Sequence, residues 1–107
     1  MNQEKFDEIL ERRIELIRSV LSRKRAEYAP GGGDRLHNFK RAANMLSCSP
    51  ERALVGMLSK HLVSILDMVD AIDQRGEFPL WELVEEKIGD SINYLILIEA
   101  MIKERIS

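Results

Sequence analysis

Trp81-Glu82-Leu83-Val84-Glu85-Glu86-Lys87-Ile88-Gly89-Asp90-Ser91-Ile92-Asn93-Tyr94-Leu95-Ile96-Leu97-Ile98 is the stretch that decides the fold class. At 100° per residue Val84, Ile88, Ile92, Leu95, Ile98 and Ile102 share one wide apolar face, and Glu82, Glu86, Asp90 and Asn93 form a separate stripe. That stripe runs on into Leu97, Ala100 and Met101. A solvent face stays polar along its length, so carboxylates and an amide aimed where a helix turns apolar are expected in a crevice. There they need a cation, a metal or hydrogen-bond donors. The plain alternative is an exposed acidic first turn with a capped or salt-bridged Asp90.

Working outward, three more helices are predicted. Phe6, Ile9, Leu10, Ile14, Ile17, Leu21 and Tyr28 recur at helical spacing and predict a helix over 3–28. Pro30 and the glycines 31–33 must end it, which makes 30–34 a hinge. The triple glycine matches no phosphate-loop spacing, and Asp34 beside it would repel an anion. Asp34 is the expected N-cap of a helix over 35–46, whose apolar side is Leu36, Phe39, Ala43 and Leu46. Ser49-Pro50-Glu51 is a strong start signal for a helix over 50–74, with Ser49 as N-cap and Pro50 at the first helical position. Its expected core face is Leu54, Leu58, Leu62, Ile65, Val69 and Ile72, flanked by a stripe of Lys60, Ser64, Asp67 and Ala71. Gly76 terminates it and Pro79 opens the last helix, over 80–105. No apolar run fits alternation better than a 3.6 period. The expected fold is all-α, one domain spanning 1–107, a small bundle of about four helices whose last two pair antiparallel. That pairing is expected to set Lys60 and Asp67 opposite Glu86, Asp90 and Asn93.

Composition narrows the function classes. The net charge of −2 conceals two halves: residues 18–60 hold nine Lys and Arg against three acids, and residues 61–107 hold four against ten. Mutual attraction of the halves accounts for much of this, and a basic rim for phosphate beside an acidic strip is the functional reading. A groove-tracking nucleic-acid binder is not expected from a negative chain with six aromatics. The apolar run 94–98 is too short for a membrane span, the charged start does not read as a signal peptide, and a single cysteine, Cys48, excludes an intrachain disulfide. The expectation is a cytoplasmic protein with no membrane partner. At 107 residues the chain is short for a deep pocket. Ile96, Leu97 and Met101 lie outside the main apolar face of the last helix, so a homo-oligomer, most simply a dimer, is expected.

Taken in order, Arg25-Ala26-Glu27-Tyr28, Asp34-Arg35-Leu36-His37-Asn38-Phe39, Lys60-His61 and Glu86-Lys87-Ile88-Gly89-Asp90-Ser91-Ile92-Asn93-Tyr94-Leu95 resemble the phage-encoded nucleotide modification associated proteins. These are relatives of the MazG-like all-α nucleotide pyrophosphohydrolases. The likeness covers roughly residues 23–103. It implies a MazG-like bundle, a nucleotide ligand, a phage source acting in the host cytoplasm, and Glu86 and Asp90 as Mg²⁺ ligands. The MazG-like enzymes carry a further glutamate pair on the preceding helix, where this chain has Lys60, His61, Ser64 and Asp67. A lysine there competes with Mg²⁺ for the carboxylates.

The resulting expectation is a protein that captures a nucleotide or nucleotide-derived signalling molecule, as a sponge does, with no cofactor required. Arg25, Arg35, Lys40 and Lys60 supply phosphate donors, Asn38 a further donor, and Glu86, Asp90 and Asn93 a strip for base or ribose. Tyr28, Phe39 and Tyr94 offer stacking rings. His61, at the edge of the apolar face, is either a further ligand contact or a satisfied structural histidine. Two alternatives stand beside this: a Mg²⁺-dependent nucleoside triphosphate pyrophosphohydrolase using Glu86 and Asp90, and a structural helical oligomer.

Overall fold

The structure, a computed structural model, describes residues 1–23 and 33–107. Among the described residues the helices are α1 (Gln3–Arg23), α2 (His37–Met45), α3 (Pro50–Arg75) and α4 (Trp81–Ile106), and there is no strand. The all-α expectation holds, with helix ends within about two residues of those expected. The predicted extension of the first helix to 28, and the hinge apart from Gly33 and Asp34, lie outside the described residues.

The boundaries have local causes. Asn2 caps α1, its Oδ1 accepting from the Lys5 N–H at 2.9 Å. Ser49 caps α3, its Oγ accepting from the Arg52 N–H at 3.1 Å, with Pro50 in the first turn. Gly76 ends α3 in the left-handed region at φ 64°, its N–H bonded to the Ile72 carbonyl and the Glu77 N–H to that of Ala71. Asp34 departs from its expected role: its Oδ1 accepts from the Leu36 N–H at 2.9 Å, holding 35–36 as a turn, and α2 starts only at His37.

The α3–α4 antiparallel hairpin is the frame. The Arg105–Glu51 ion pair at 2.8 Å and the approach of His61 to Asp90 fix its register. α2 seals the end where α3 begins and α4 finishes: Leu36 and Phe39 meet Leu54, Leu97 and Met101, with Met57, Tyr94 and Ile98 packed around them. Two expected faces are thereby corrected. On α4 the buried line is Gly89, Asn93, Leu97 and Met101, while Leu95 and Ile102 are exposed. Of the polar stripe only Asn93 is buried, beside the apolar continuation that α2 seals; Asp90 is half-buried, and Glu82 and Glu86 are exposed. On α3 Leu54 and Leu58 are buried as expected, but Leu62 and Val69 are exposed.

Lys40 of α2 pairs with Asp34 at 2.6 Å and with Glu104 of α4. The Lys40 hydrogen bond, then the Leu36 N–H, holds the Asp34 carboxyl below its ordinary 3.8. The Asp34 and then the Glu104 hydrogen bond lifts Lys40 above 10.5. A lowered carboxyl contributes stability above its unfolded value and loses it as pH falls through the folded one. A raised amine contributes below its unfolded value and loses it as pH rises through the folded one. The clamp is therefore fully present between about pH 4 and 10. Because these groups are a third to a half exposed, Lys40→Met is expected to cost less than about 1 kcal/mol at pH 7. Urea titrations of both proteins should show that difference vanish in strong acid.

Candidate functional site

α1 lies along the first half of α4, and the two helices bound a crevice of about 210 Å³. Arg13, Leu16, Ile17 and Val20 form its α1 wall; Glu82, Glu85, Glu86, Gly89, Asp90 and Asn93 form its α4 wall. The stripe read from the sequence is thus brought together in one crevice. It faces α1, however, and from α3 only His61 approaches it, at Asp90.

What makes the contact close is a glycine. Arg13 lays its guanidinium over Gly89, where a Cβ would stand 2.5 Å from Nη1, and Nη2 donates to the Glu85 carbonyl at 3.1 Å. Arg12 adds an ion pair to the Glu85 carboxylate at 3.3 Å. Mid-helix glycine costs roughly 1 kcal/mol of helix propensity against alanine, and here it leaves room for a cation against the backbone. Gly89→Ala should push Arg13 aside at little steric cost, because the atom in the way is the far end of a flexible side chain, so the lost bond to Glu85 roughly cancels the gain in propensity. In an Arg13→Ala background the same change should stabilise by about 1 kcal/mol. A double-mutant cycle in urea reads the difference.

Asn93 is 8% exposed, and its Oδ1 is buried without a hydrogen-bond partner. A buried acceptor left empty costs about 1–3 kcal/mol, and this one belongs to a residue that lines the crevice. Asp90 and Glu86 stand one and two turns earlier on the same helix, and both accept hydrogen bonds only. His61 faces Asp90 from α3: Nδ1 is 3.9 Å from Asp90 Oδ2, is buried and has no hydrogen bond, and the ring leans on Tyr94 with centroids 5.3 Å apart. Among the described residues no group of three or more His, Cys, Asp or Glu side chains is placed to hold a metal ion.

The remaining predicted contacts scatter. Lys60 is exposed and does not line the crevice, and the α3 stripe of Ser64, Asp67 and Ala71 faces Leu83 and Lys87. The expected approach of Lys60 and Asp67 to Glu86, Asp90 and Asn93 is therefore corrected, with His61 in that place. One residue is a 100° rotation, enough to turn Lys60 outward. Lys40 is committed to Asp34 and Glu104, and Asn38 is exposed on α2. Arg35 Nη2 donates to the Leu21 carbonyl at 3.1 Å, next along α1 from Val20, and so sits at the Asn93 end of the crevice. Arg25 and Tyr28 lie outside the described residues. Arg13 and Gly89 carried no expectation: an isolated glycine within a strong helical pattern was the available signal for one, and a partner more than seventy residues away left none for the other. A second groove of about 660 Å³ opens beside the crevice, between Phe6, Ile9 and Leu10 of α1 and Trp81, Val84 and Ile88 of α4.

No protein-family model, curated protein or solved structure matches the chain.

Proposed function

We propose that the chain is a binding protein for a nucleotide or nucleotide-derived signalling molecule, which it sequesters in the α1–α4 crevice without turning it over. The observation that carries this reading is the buried, unpartnered Asn93 Oδ1 in line with Asp90 and Glu86. Three acceptors along one wall suit a ligand edge rich in N–H groups, such as the amino and ring N–H of a nucleobase. Leu16, Ile17 and Val20 opposite offer an apolar surface for its face. Arg35, at the Asn93 end, is the phosphate donor in this reading. The resemblance to phage nucleotide modification associated proteins supports the same ligand class, and with it a phage protein acting in the host cytoplasm. None of the described helices is long and apolar enough to cross a membrane.

Glu86 and Asp90, one turn apart on the crevice wall, keep a second reading open, a MazG-like Mg²⁺-dependent pyrophosphohydrolase with those two carboxylates as metal ligands. Thermal shift with a panel of nucleoside mono-, di- and triphosphates and cyclic dinucleotides, with Mg²⁺ or with chelator, separates the two. A shift that survives chelator without release of pyrophosphate or phosphate supports sequestration. Mg²⁺-dependent pyrophosphate release, lost in both Glu86→Gln and Asp90→Asn, establishes the hydrolase. No shift with any of them overturns both.

The protein acts as a homo-oligomer in this reading. Leu97 and Met101, taken from the sequence as surplus, belong to the core, so they do not support it. Its support is the exposed aliphatic side chains of α3 and α4.

A further inference from the structure

Along α3 the buried side runs through Leu54, Met57, His61 and Ile65. A second side carries Val55, Leu62, Leu66 and Val69, which are 43, 50, 57 and 46% exposed. With Ser59 and Asp73 they alternate at spacings of four and three, the pattern of a helix seam that meets another helix. Leu95 and Ile102 of α4 are exposed as well, and at 100° per residue they fall on the hairpin side that α1 and α2 leave uncovered.

We propose that this face is covered by a second copy of the chain, the two α3 helices crossing antiparallel on a twofold axis at Leu62. The proposal rests on the homo-oligomer reading and gives it a geometry; it is independent of the ligand. The seam is symmetric about that residue to within one position. Leu62 meets its own copy and Val55 meets the second copy's Val69, seven residues to either side, while Ser59 and Leu66, three and four residues from the axis, fall beside each other, close to the self-complementarity a twofold interface requires.

Charge decides the direction. Arg52 flanks one end of the seam and Asp70 and Asp73 the other, and none of the three forms an ion pair among the described residues. The antiparallel arrangement sets Arg52 against the second copy's Asp70 and Asp73; a parallel one sets like on like. Half-exposed, these six aliphatic side chains present on the order of 500 Å² of apolar surface, a large patch for a monomer. With the charged flanks it approaches the roughly 800 Å² that a standard interface takes from each partner.

The test uses the full chain. Light scattering at micromolar concentration is expected to give twice 12.3 kDa. Leu62→Glu, at a position half exposed in the single chain, should keep its helical circular dichroism and raise the dimer dissociation constant at least about a hundredfold, because the axis sets the two carboxylates together. Arg52→Asp should weaken the dimer about tenfold, and adding Asp70→Arg and Asp73→Arg should restore it. A single-chain mass for the unaltered protein overturns the oligomer and the interface together. A dimer indifferent to Leu62→Glu, or one that the charge reversal fails to rescue, overturns the geometry while leaving the oligomer reading in place.

Discussion

Asn93→Leu is expected to leave the fold intact or raise its stability by roughly 1 kcal/mol, while weakening nucleotide binding at least about tenfold. The two effects share one atom. In the ligand-free chain Asn93 Oδ1 is buried with its hydrogen bond unmade, and replacing it by an apolar group of similar shape removes a desolvation penalty and no partner. With a ligand bound, the same oxygen takes a donor, so leucine there leaves a ligand N–H buried against hydrocarbon. Urea midpoints and titration calorimetry of the two proteins measure both halves. A variant that loses stability and keeps its affinity would make Asn93 a structural residue and remove the main support for the crevice as a binding site.

Leu54→Ala should cost about 3–4 kcal/mol. Leu54 has no exposed surface and sits where all three helices of the closed end converge, against Leu36, Phe39, Leu97 and Met101. Since α2 is held there by few other apolar contacts, its loss leaves a cavity that the long α3–α4 frame cannot close by collapse. For a domain whose whole stability is of the order of 5–15 kcal/mol, this is a large fraction. Urea unfolding at fixed protein concentration should show a lower midpoint with an unchanged slope. Leu46→Ala, at a position 64% exposed, should change it by less than about 0.5 kcal/mol.

The helices and both ends of α3 were legible in the sequence because their causes are local: a serine before a proline, a glycine after an amphipathic run, a 3.6-residue period; the start of α2 was not, since Asp34 turns the chain and does not cap the helix. Which side of α4 is buried was not. After Ile92 that helix is apolar nearly all round, and a period cannot choose among several apolar sides; α2, reached only in three dimensions, makes the choice. The polar stripe was legible as a stripe because Glu86, Asp90 and Asn93 share a face whatever that face meets, but its burial was not: Asn93 alone is buried, while Glu82 and Glu86 are exposed, as the plain reading of an acidic first turn expects. Its opposing wall was not, since pairing α3 with α4 suggested Lys60 while the crevice is closed by α1 through Arg13 and Gly89.

The way α1 is attached has a kinetic consequence. Its polar ties to α4 join residues 72 and 73 positions apart, whereas α3 and α4 are joined by a short corner. Contacts that close a long loop form late and are the first to be lost, so the hairpin and its α2 cap should assemble before α1 docks. The crevice then exists only in the last-formed state and can open by undocking of one helix while the rest stays folded. Amide hydrogens of α1 should exchange faster than those of α3. A captured ligand should slow that exchange, and its residence time should follow the detachment of α1 more closely than global unfolding.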